Sequence, residues 1–279
     1  MEIFLENREY TLKNKYGLTL FAREWRASQN PKAMITLIHG LGEHCGRYHH
    51  VADYFSKHNI NITSFDLQGH GKSEGARGYI STHEILMDDL ELFLNITTAN
   101  FPDIPIFIYG HSLGAVIALA FAIKRKPLIR GIIATAPSLK VAQPVPPIKI
   151  TLAKTMNTLF PAFSMDSGLD RSGLSRDKSI LKAYNEDPLV HSQISARLGM
   201  FLINEGMWLL DHADELTMET LLMAGSLDRI ISVPAIRDFA SKSNRVTLKF
   251  WDGLYHEIHN EPEKEQVLDF ILEWVQKYL

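Results

Sequence analysis

The stretch Ile106-Phe-Ile-Tyr-Gly-His-Ser-Leu-Gly-Ala-Val-Ile-Ala-Leu-Ala-Phe-Ala-Ile123 constrains the fold of this chain more than any other. Ile106 to Tyr109 is short, apolar and rich in β-branched and aromatic side chains, the composition of a strand covered on both faces. From Ser112 to Ile123, Leu113, Val116, Ile117, Ala120 and Phe121 recur at helical spacing. Strand and helix are joined through Gly110-His111-Ser112-Leu113-Gly114, a G-x-S-x-G turn whose glycines let the two elements approach closely. Such a turn lifts the Ser112 hydroxyl clear of the sheet. It also aims the Leu113 N–H, at the positive end of the helix dipole, at any oxyanion forming beside that hydroxyl. A pattern with three fixed positions in five also arises by chance, so its meaning depends on the rest of the chain.

Around this turn, apolar strands alternate with amphipathic helices. Tyr10 to Lys13 and Leu18 to Trp25 read as an opening hairpin, Ala33 to Ile38 as a strand, Arg47 to Lys57 as a helix and Ile60 to Asp66 as a strand. A helix from His83 to about Ala99 stops at Phe101-Pro102, and a strand follows the nucleophile helix at Gly131 to Ala136. This alternation predicts an α/β fold with a mostly parallel central sheet and helices on both faces, its ligands at the carboxyl ends of the strands. The glycine-rich segments His39-Gly-Leu-Gly-Glu-His-Cys-Gly-Arg47 and Gln68-Gly-His-Gly-Lys-Ser-Glu-Gly75 also follow strands and should meet the serine turn at that edge. The alternation breaks at Pro137 and resumes with a strand at Thr220 to Ala224. The expected organisation is therefore a core over residues 1–136 and 214–279, with a helical cap inserted at 137–213.

A serine hydroxyl needs a base within hydrogen-bond reach, and the base an orienting acid. The sheet edge supplies both. Asp228 lies in Gly225-Ser-Leu-Asp-Arg-Ile-Ile231 and His256 in Gly253-Leu-Tyr-His-Glu-Ile-His259, each just past a predicted strand. The order Ser112, Asp228, His256 is that of α/β-hydrolases. Asp252 is the competing acid, but no loop separates it from the strand end. His39 and His111 adjoin glycines at tight turns and read as structural, and Asp66 as a cap for loop N–H groups. The oxyanion donors are expected to be the N–H groups of Leu113 and Leu41, the latter in the loop after the Ala33 to Ile38 strand.

Other chemistries fit poorly. His256-Glu-Ile-His259 is one residue short of H-E-x-x-H and no cysteine pair exists, so no metal is assigned. Gly71-Lys72-Ser73 resembles the tail of a phosphate-binding loop, yet the required earlier glycine is Asp66. A net charge of −3 without a basic tract gives no field for nucleic acid. The single cysteine, Cys45, excludes an intrachain disulfide and suits a reducing compartment. The first nine residues carry three acids and an arginine, which reads as no signal peptide. No apolar run approaches bilayer-spanning length. The expected location is cytoplasmic or membrane-peripheral.

His39-Gly-Leu-Gly-Glu-His44 with Gly46-Arg-Tyr48, Asp66 before Gly69-His-Gly-Lys-Ser-Glu-Gly75, Gly110-His-Ser-Leu-Gly114, Leu174-Ser-Arg-Asp-Lys178, Tyr184-Asn-Glu-Asp-Pro-Leu189 and Tyr255-His256 with His259 and Glu261 span almost the whole chain. This set resembles the monoacylglycerol lipase and lysophospholipase group of α/β-hydrolases. The resemblance implies a serine esterase without a cofactor, cleaving monoacylglycerol to glycerol and fatty acid. A lysophospholipase or broad carboxylesterase on the same triad is the alternative, and a noncatalytic binding protein on the same fold a more distant one. It further implies that the insertion encloses a lipophilic tunnel over Ser112 and rests its apolar outer helix on membranes. Ile148, Ile150, Leu152, Ala153, Met156, Leu159 and Phe163 offer apolar surface for that, although an ordinary core helix would use them equally. Glu43, Arg47 and His259 are implied as the glycerol-binding polar group, with Tyr184 beside them; Glu43 and Arg47 also suit a plain ion pair. Two departures from the group are Ala115, where a glycine is common, and the proline-rich Val141 to Ile150, so acyl preference does not transfer.

Overall fold

The computed structural model describes residues 6–143 and 145–279. Residues 1–5, on which much of the signal-peptide reading falls, and Pro144 lie outside the described residues. In chain order, β1 (Glu6–Lys13) and β2 (Thr19–Arg26) form the opening antiparallel hairpin. They are followed by β3 (Ala33–Ile38), α1 (His49–Ser56), β4 (Ile60–Phe65), α2 (Ile85–Asn100), β5 (Ile106–His111), α3 (Leu113–Arg125) and β6 (Gly131–Thr135). The segment after β6 holds α4 (Pro147–Leu159), β7 (Ser164–Asp166), α5 (Lys178–Glu186), β8 (Gln193–Ser195) and α6 (Ala196–Asp211). Then β9 (Thr220–Gly225), α7 (Val233–Ser241), β10 (Val246–Trp251) and α8 (Lys264–Lys277) close the chain.

The eight-stranded sheet runs β1-β2-β4-β3-β5-β6-β9-β10. Its pairings from β4 to β10 are parallel, and only the β1–β2 and β2–β4 pairs are antiparallel. Strands β3 to β6 and β9 are buried along their whole length, which is why they read as continuous apolar runs. Alternate residues feed two separate cores. Ile106 and Ile108 pack with α2, α3 and α7, whereas Phe107 and Tyr109 pack with α1 and α8 on the opposite face. The sheet is thus covered on both sides, as the alternation of elements predicts.

Helix starts depart slightly from the periodicity. The helix expected from Arg47 begins as a 3-10 turn over Cys45–Tyr48, because the His44 side chain accepts from Gly46 N and ties down that first turn. The segment between β6 and β9 lies over the carboxyl ends of the strands. Its seams with the core are polar: His44 Nε2 meets Asp187 at 2.8 Å, His191 N donates to Gly42 O at 2.9 Å, and Ser195 N to Gly78 O at 2.9 Å. Helix α6 belongs to both parts, since Leu198, Phe201 and Leu209 join the core cluster formed with α2, α3 and α7.

Candidate active site

Ser112 stands between β5 and α3 at φ 53° and ψ −112°, a conformation unusual for a residue with a side chain. The turn is this tight because both glycines are pressed by backbone. A Cβ on Gly110 would lie 2.6 Å from the Cα of Ala115, and one on Gly114 2.7 Å from the His39 carbonyl oxygen. The strained turn is anchored by Ser112 N donating to Thr135 O at 2.9 Å, and it projects the hydroxyl toward the strand ends.

The structure brings Ser112, Asp228 and His256 together. His256 Nε2 is 3.1 Å from Ser112 Oγ, and its Nδ1 is 2.7 Å from Asp228 Oδ2. The other Asp228 oxygen accepts from Ile230 N at 2.8 Å and Ile231 N at 3.1 Å, so the loop after β9 holds the carboxylate from behind. The His256 loop is fixed by the inserted segment: His256 N donates to Gly173 O and Glu257 N to Leu174 O, at 3.3 and 2.8 Å. Asp252 takes no part, since its Oδ1 accepts from Ser226 Oγ at 3.0 Å.

Burial opposes ionisation of Asp228, but the His256 imidazole and the two backbone N–H donors outweigh it and hold the carboxyl below its ordinary value. Burial likewise opposes a charged His256. The Asp228 carboxylate, helped by Glu257 and Glu43, overcomes this and raises the imidazole above 6.5. The ionised Asp228 therefore accepts a hydrogen bond from Nδ1–H, leaving Nε2 of the neutral ring as an acceptor for the Ser112 hydroxyl.

The loop after β3 crosses beside the serine, where a Cβ on Gly40 would stand 3.4 Å from the Ser112 Cβ. Among the described residues, the N–H groups of Leu41 and Leu113 donate to no protein acceptor. Leu41 also lines the cavity onto which Ser112 and His256 open. That cavity, of about 750 Å³, is mainly apolar; Leu139, Leu174, Leu202 and Ile230 line it from the loops and α6, and Ile150 from α4.

Of the four residues expected to contact a polar headgroup, Glu43 and Tyr184 line the cavity, while Arg47 and His259 lie behind that wall. Glu43 is heavily engaged: Oε1 accepts from Gly40 N at 2.7 Å and Tyr48 OH at 2.8 Å, and Oε2 pairs with Arg47. Arg47 also makes two 2.7 Å hydrogen bonds to Glu257 and lies over the Tyr184 ring, 4.6 Å from its centroid. The ion-pair alternative for Glu43 and Arg47 is thus present in the geometry. Glu257, adjacent to the candidate base, escapes a reading of the sequence because only tertiary packing brings Arg47 to it. His259 is buried against Tyr48 and His111, and burial followed by the nearby His111 pushes its pKa well down.

His39, His111 and Asp66 are bonded to their own and neighbouring loops. His39 bridges Gly40 O and Leu67 N at 2.8 and 2.9 Å, His111 Nδ1 is 3.1 Å from Thr135 Oγ1, and Asp66 accepts from Cys45 N and Lys72 N, both at 2.8 Å. Ser138 is a neighbour that sequence reasoning misses. Its Oγ lies 3.0 Å from Ser112 Oγ, and nothing in the sequence beyond its place after β6 signals it.

A family model described as Hydrolase_4, serine aminopeptidase S33, matches residues 29–263. An uncharacterized abhydrolase domain-containing protein of Dictyostelium discoideum is 35% identical over 93% of this chain, which spans only 28% of that longer protein. Monoglyceride lipase of Rattus norvegicus is 36% identical over 95% of this chain and 89% of its own. In three dimensions the chain is similar to the crystal structure of Paleococcus ferrophilus monoacylglycerol lipase. The TM-score is 0.83 at 29% identity, covering 99% of this chain and 100% of that one.

Proposed function

The chain belongs to the Hydrolase_4 family, serine aminopeptidase S33, and within it we propose a serine hydrolase that cleaves monoacylglycerol to glycerol and a fatty acid. The observation that carries this reading is the hydrogen-bonded line Asp228–His256–Ser112 opening onto a mainly apolar cavity of about 750 Å³. The likeness to monoglyceride lipases supports the choice of ester. A long acyl chain suits the cavity, because each methylene removed from water contributes about 0.8 kcal/mol.

In this mechanism the Ser112 Oγ attacks the ester carbonyl carbon while His256 Nε2 takes its proton. Asp228 keeps the imidazole in the required tautomer and stabilises the imidazolium. The carbonyl electrons move onto oxygen, where the Leu41 and Leu113 N–H groups are the donors. As the carbon–oxygen bond to glycerol breaks, the imidazolium returns the proton to the departing alcohol. Water then attacks the acyl-enzyme by the same route in reverse roles. Glu43 and Tyr184 are the polar side chains beside the glycerol, with Arg47 and His259 supporting them from behind.

The outer face of α4 supports contact with a lipid surface. None of its residues is buried, and Ile148 and Leu159 are 79% and 63% exposed. Among the described residues no helix is long and apolar enough to cross a membrane.

Hydrolysis of a monoacylglycerol set against the matching lysophosphatidylcholine, each with short and long chains, tests the substrate class. The reading requires the long-chain monoacylglycerol to be turned over fastest. Faster hydrolysis of the phospholipid would replace it with a lysophospholipase.

A further inference from the structure

We propose that Ser138 is a catalytic residue whose hydroxyl donates to the Ser112 Oγ as that oxygen leaves the acyl group, so that it speeds hydrolysis of the acyl-enzyme. This rests on the reading of Ser112 as the nucleophile. The Oγ atoms of the two serines are 3.0 Å apart, and Ser138 faces the same cavity.

The Ser138 hydroxyl is held in place from several directions. It follows Ala136, whose φ of 45° is fixed by its N–H donating to Met223 O at 2.7 Å. Ser138 N points at Ser112 O, 3.4 Å away. Just beyond, Ser232 N donates to Lys140 O at 2.8 Å and Ala142 N to Ile230 O at 3.0 Å. The segment carrying Ser138 is thereby stitched to the loop that presents Asp228. From the other side α6 presses on it, for a methyl at Gly206 would collide with the Leu139 carbonyl oxygen. Ser138 is therefore located by the nucleophile loop and the acid loop together.

The count of protons sets the direction of its hydrogen bond. Ionised Asp228 accepts a hydrogen bond from His256 Nδ1–H, so Nε2 carries no proton and accepts from Ser112. Ser112 has no second proton, and the 3.0 Å contact is then Ser138 O–H donating to Ser112 Oγ. In the acyl-enzyme that oxygen belongs to an ester and is a poor acceptor. During hydrolysis, water oxygen bonds to the acyl carbon and its proton passes to His256 Nε2. The bond from carbon to Ser112 Oγ then breaks, its electron pair stays on Oγ, and Oγ takes the proton from His256. The carboxylic acid departs, and Ser138 keeps its own proton throughout. The Ser138 bond is gained as Oγ is expelled, so it stabilises the transition state of that step relative to its start. When Oγ attacks in the first half of the reaction, the same bond is present at the outset and gives no comparable advantage.

The test uses the full chain with p-nitrophenyl butyrate, read before and during steady state, and with a fluorophosphonate that reports attack by Ser112 alone. Absence of labelling at Ser112 in the unaltered protein would strike at the nucleophile itself, separately from Ser138. In Ser138→Ala, labelling stays within about threefold while hydrolysis of the acyl-enzyme falls about tenfold, so a burst of p-nitrophenol precedes a slower steady state. Ser138→Thr, which keeps the hydroxyl, restores that rate to within about threefold. Rates are taken per titrated site, so loss of folded protein does not enter. Acyl-enzyme hydrolysis in Ser138→Ala that is unchanged or faster overturns the proposal, as does equal slowing of labelling and hydrolysis, or a defect that Ser138→Thr leaves unrepaired.

Discussion

Arg47 and Glu257, 210 residues apart in the chain, meet through two hydrogen bonds of 2.7 Å, and Glu257 is next in the chain to the His256 that bonds Ser112. Glu43 shares the same guanidinium, so two buried carboxylates balance one cation and the group carries a net negative charge. Burial opposes both charges, but Arg47 more than compensates, and both carboxyls stay below their ordinary values. The surplus charge faces the imidazoles of His111 and His256. Burial and then the nearby His256 hold His111 near 4, and it remains neutral, whereas His256 with its own Asp228 is raised.

A pH profile follows from that charge. Catalysis requires neutral His256, so kcat/KM is full above the raised imidazole value and is lost as pH falls through it. Glu257→Gln removes a negative charge near the ring, which lowers its affinity for a proton. The acid limb of kcat/KM should therefore move to lower pH. A limb that stays in place or moves upward would show that Glu257 does not act on His256.

Two aspartates, Asp228 and Asp252, precede His256 in the chain, and only Asp228 is bonded to it. Asp228→Asn should lower kcat by about 10⁴ through loss of the correct tautomer, while Asp252→Asn leaves it within about threefold. Ser112→Ala should abolish turnover with an unchanged circular dichroism spectrum. Near-normal turnover in Asp228→Asn would mean that another group orients the ring.

The sequence makes some of this site legible and hides the rest for identifiable reasons. Strand ends are visible as apolar runs, so residues just past them can be paired across the sheet edge; that places Ser112, Asp228 and His256 side by side before any coordinates. The glycines of the serine turn are equally readable, because close packing of backbone on backbone leaves no other residue type. Glu257 and Ser138 carry no such mark. Each follows a strand like many bystanders do, and its partner is chosen by loop paths that pattern and spacing do not encode. The short pairing of β7 with β8 is hidden too, since three residues are too few to show a period.

Far from the site, Asp89 in α2 is buried, bonded to Asn14 Nδ2 at 2.8 Å, and its other oxygen finds no partner. Burial, with the neighbouring Asp88 charge, raises its pKa to about 7. A carboxyl raised in the folded state favours folding at low pH, and that contribution is lost as pH climbs from the unfolded value near 3.8 through about 7. Asp89→Asn cannot ionise and still accepts from Asn14. Its melting temperature at pH 8 should exceed that of the unaltered protein by about 3 °C or more, with the difference vanishing near pH 4. An equal or lower melting temperature at pH 8 would mean that the charge is stabilised by groups other than Asn14.

The inner and outer faces of α4 make opposite demands, and the last prediction separates them. Ile150 faces the cavity, whereas Ile148, Leu152 and Leu159 fall on the opposite stripe of the helix and are 79%, 54% and 63% exposed. An apolar stripe left in water costs free energy that contact with acyl chains would recover, at about 0.8 kcal/mol per methylene withdrawn from water. Replacing those three outer residues with serine leaves Ser112, His256 and the cavity wall untouched. Hydrolysis of a water-soluble short-chain ester should therefore stay within about twofold, while hydrolysis of long-chain monoacylglycerol held in phosphatidylcholine vesicles should fall about tenfold or more. Parallel loss on both substrates would mean that the stripe supports the fold of the insertion. Equal activity on vesicles would mean that substrate reaches Ser112 without help from this surface.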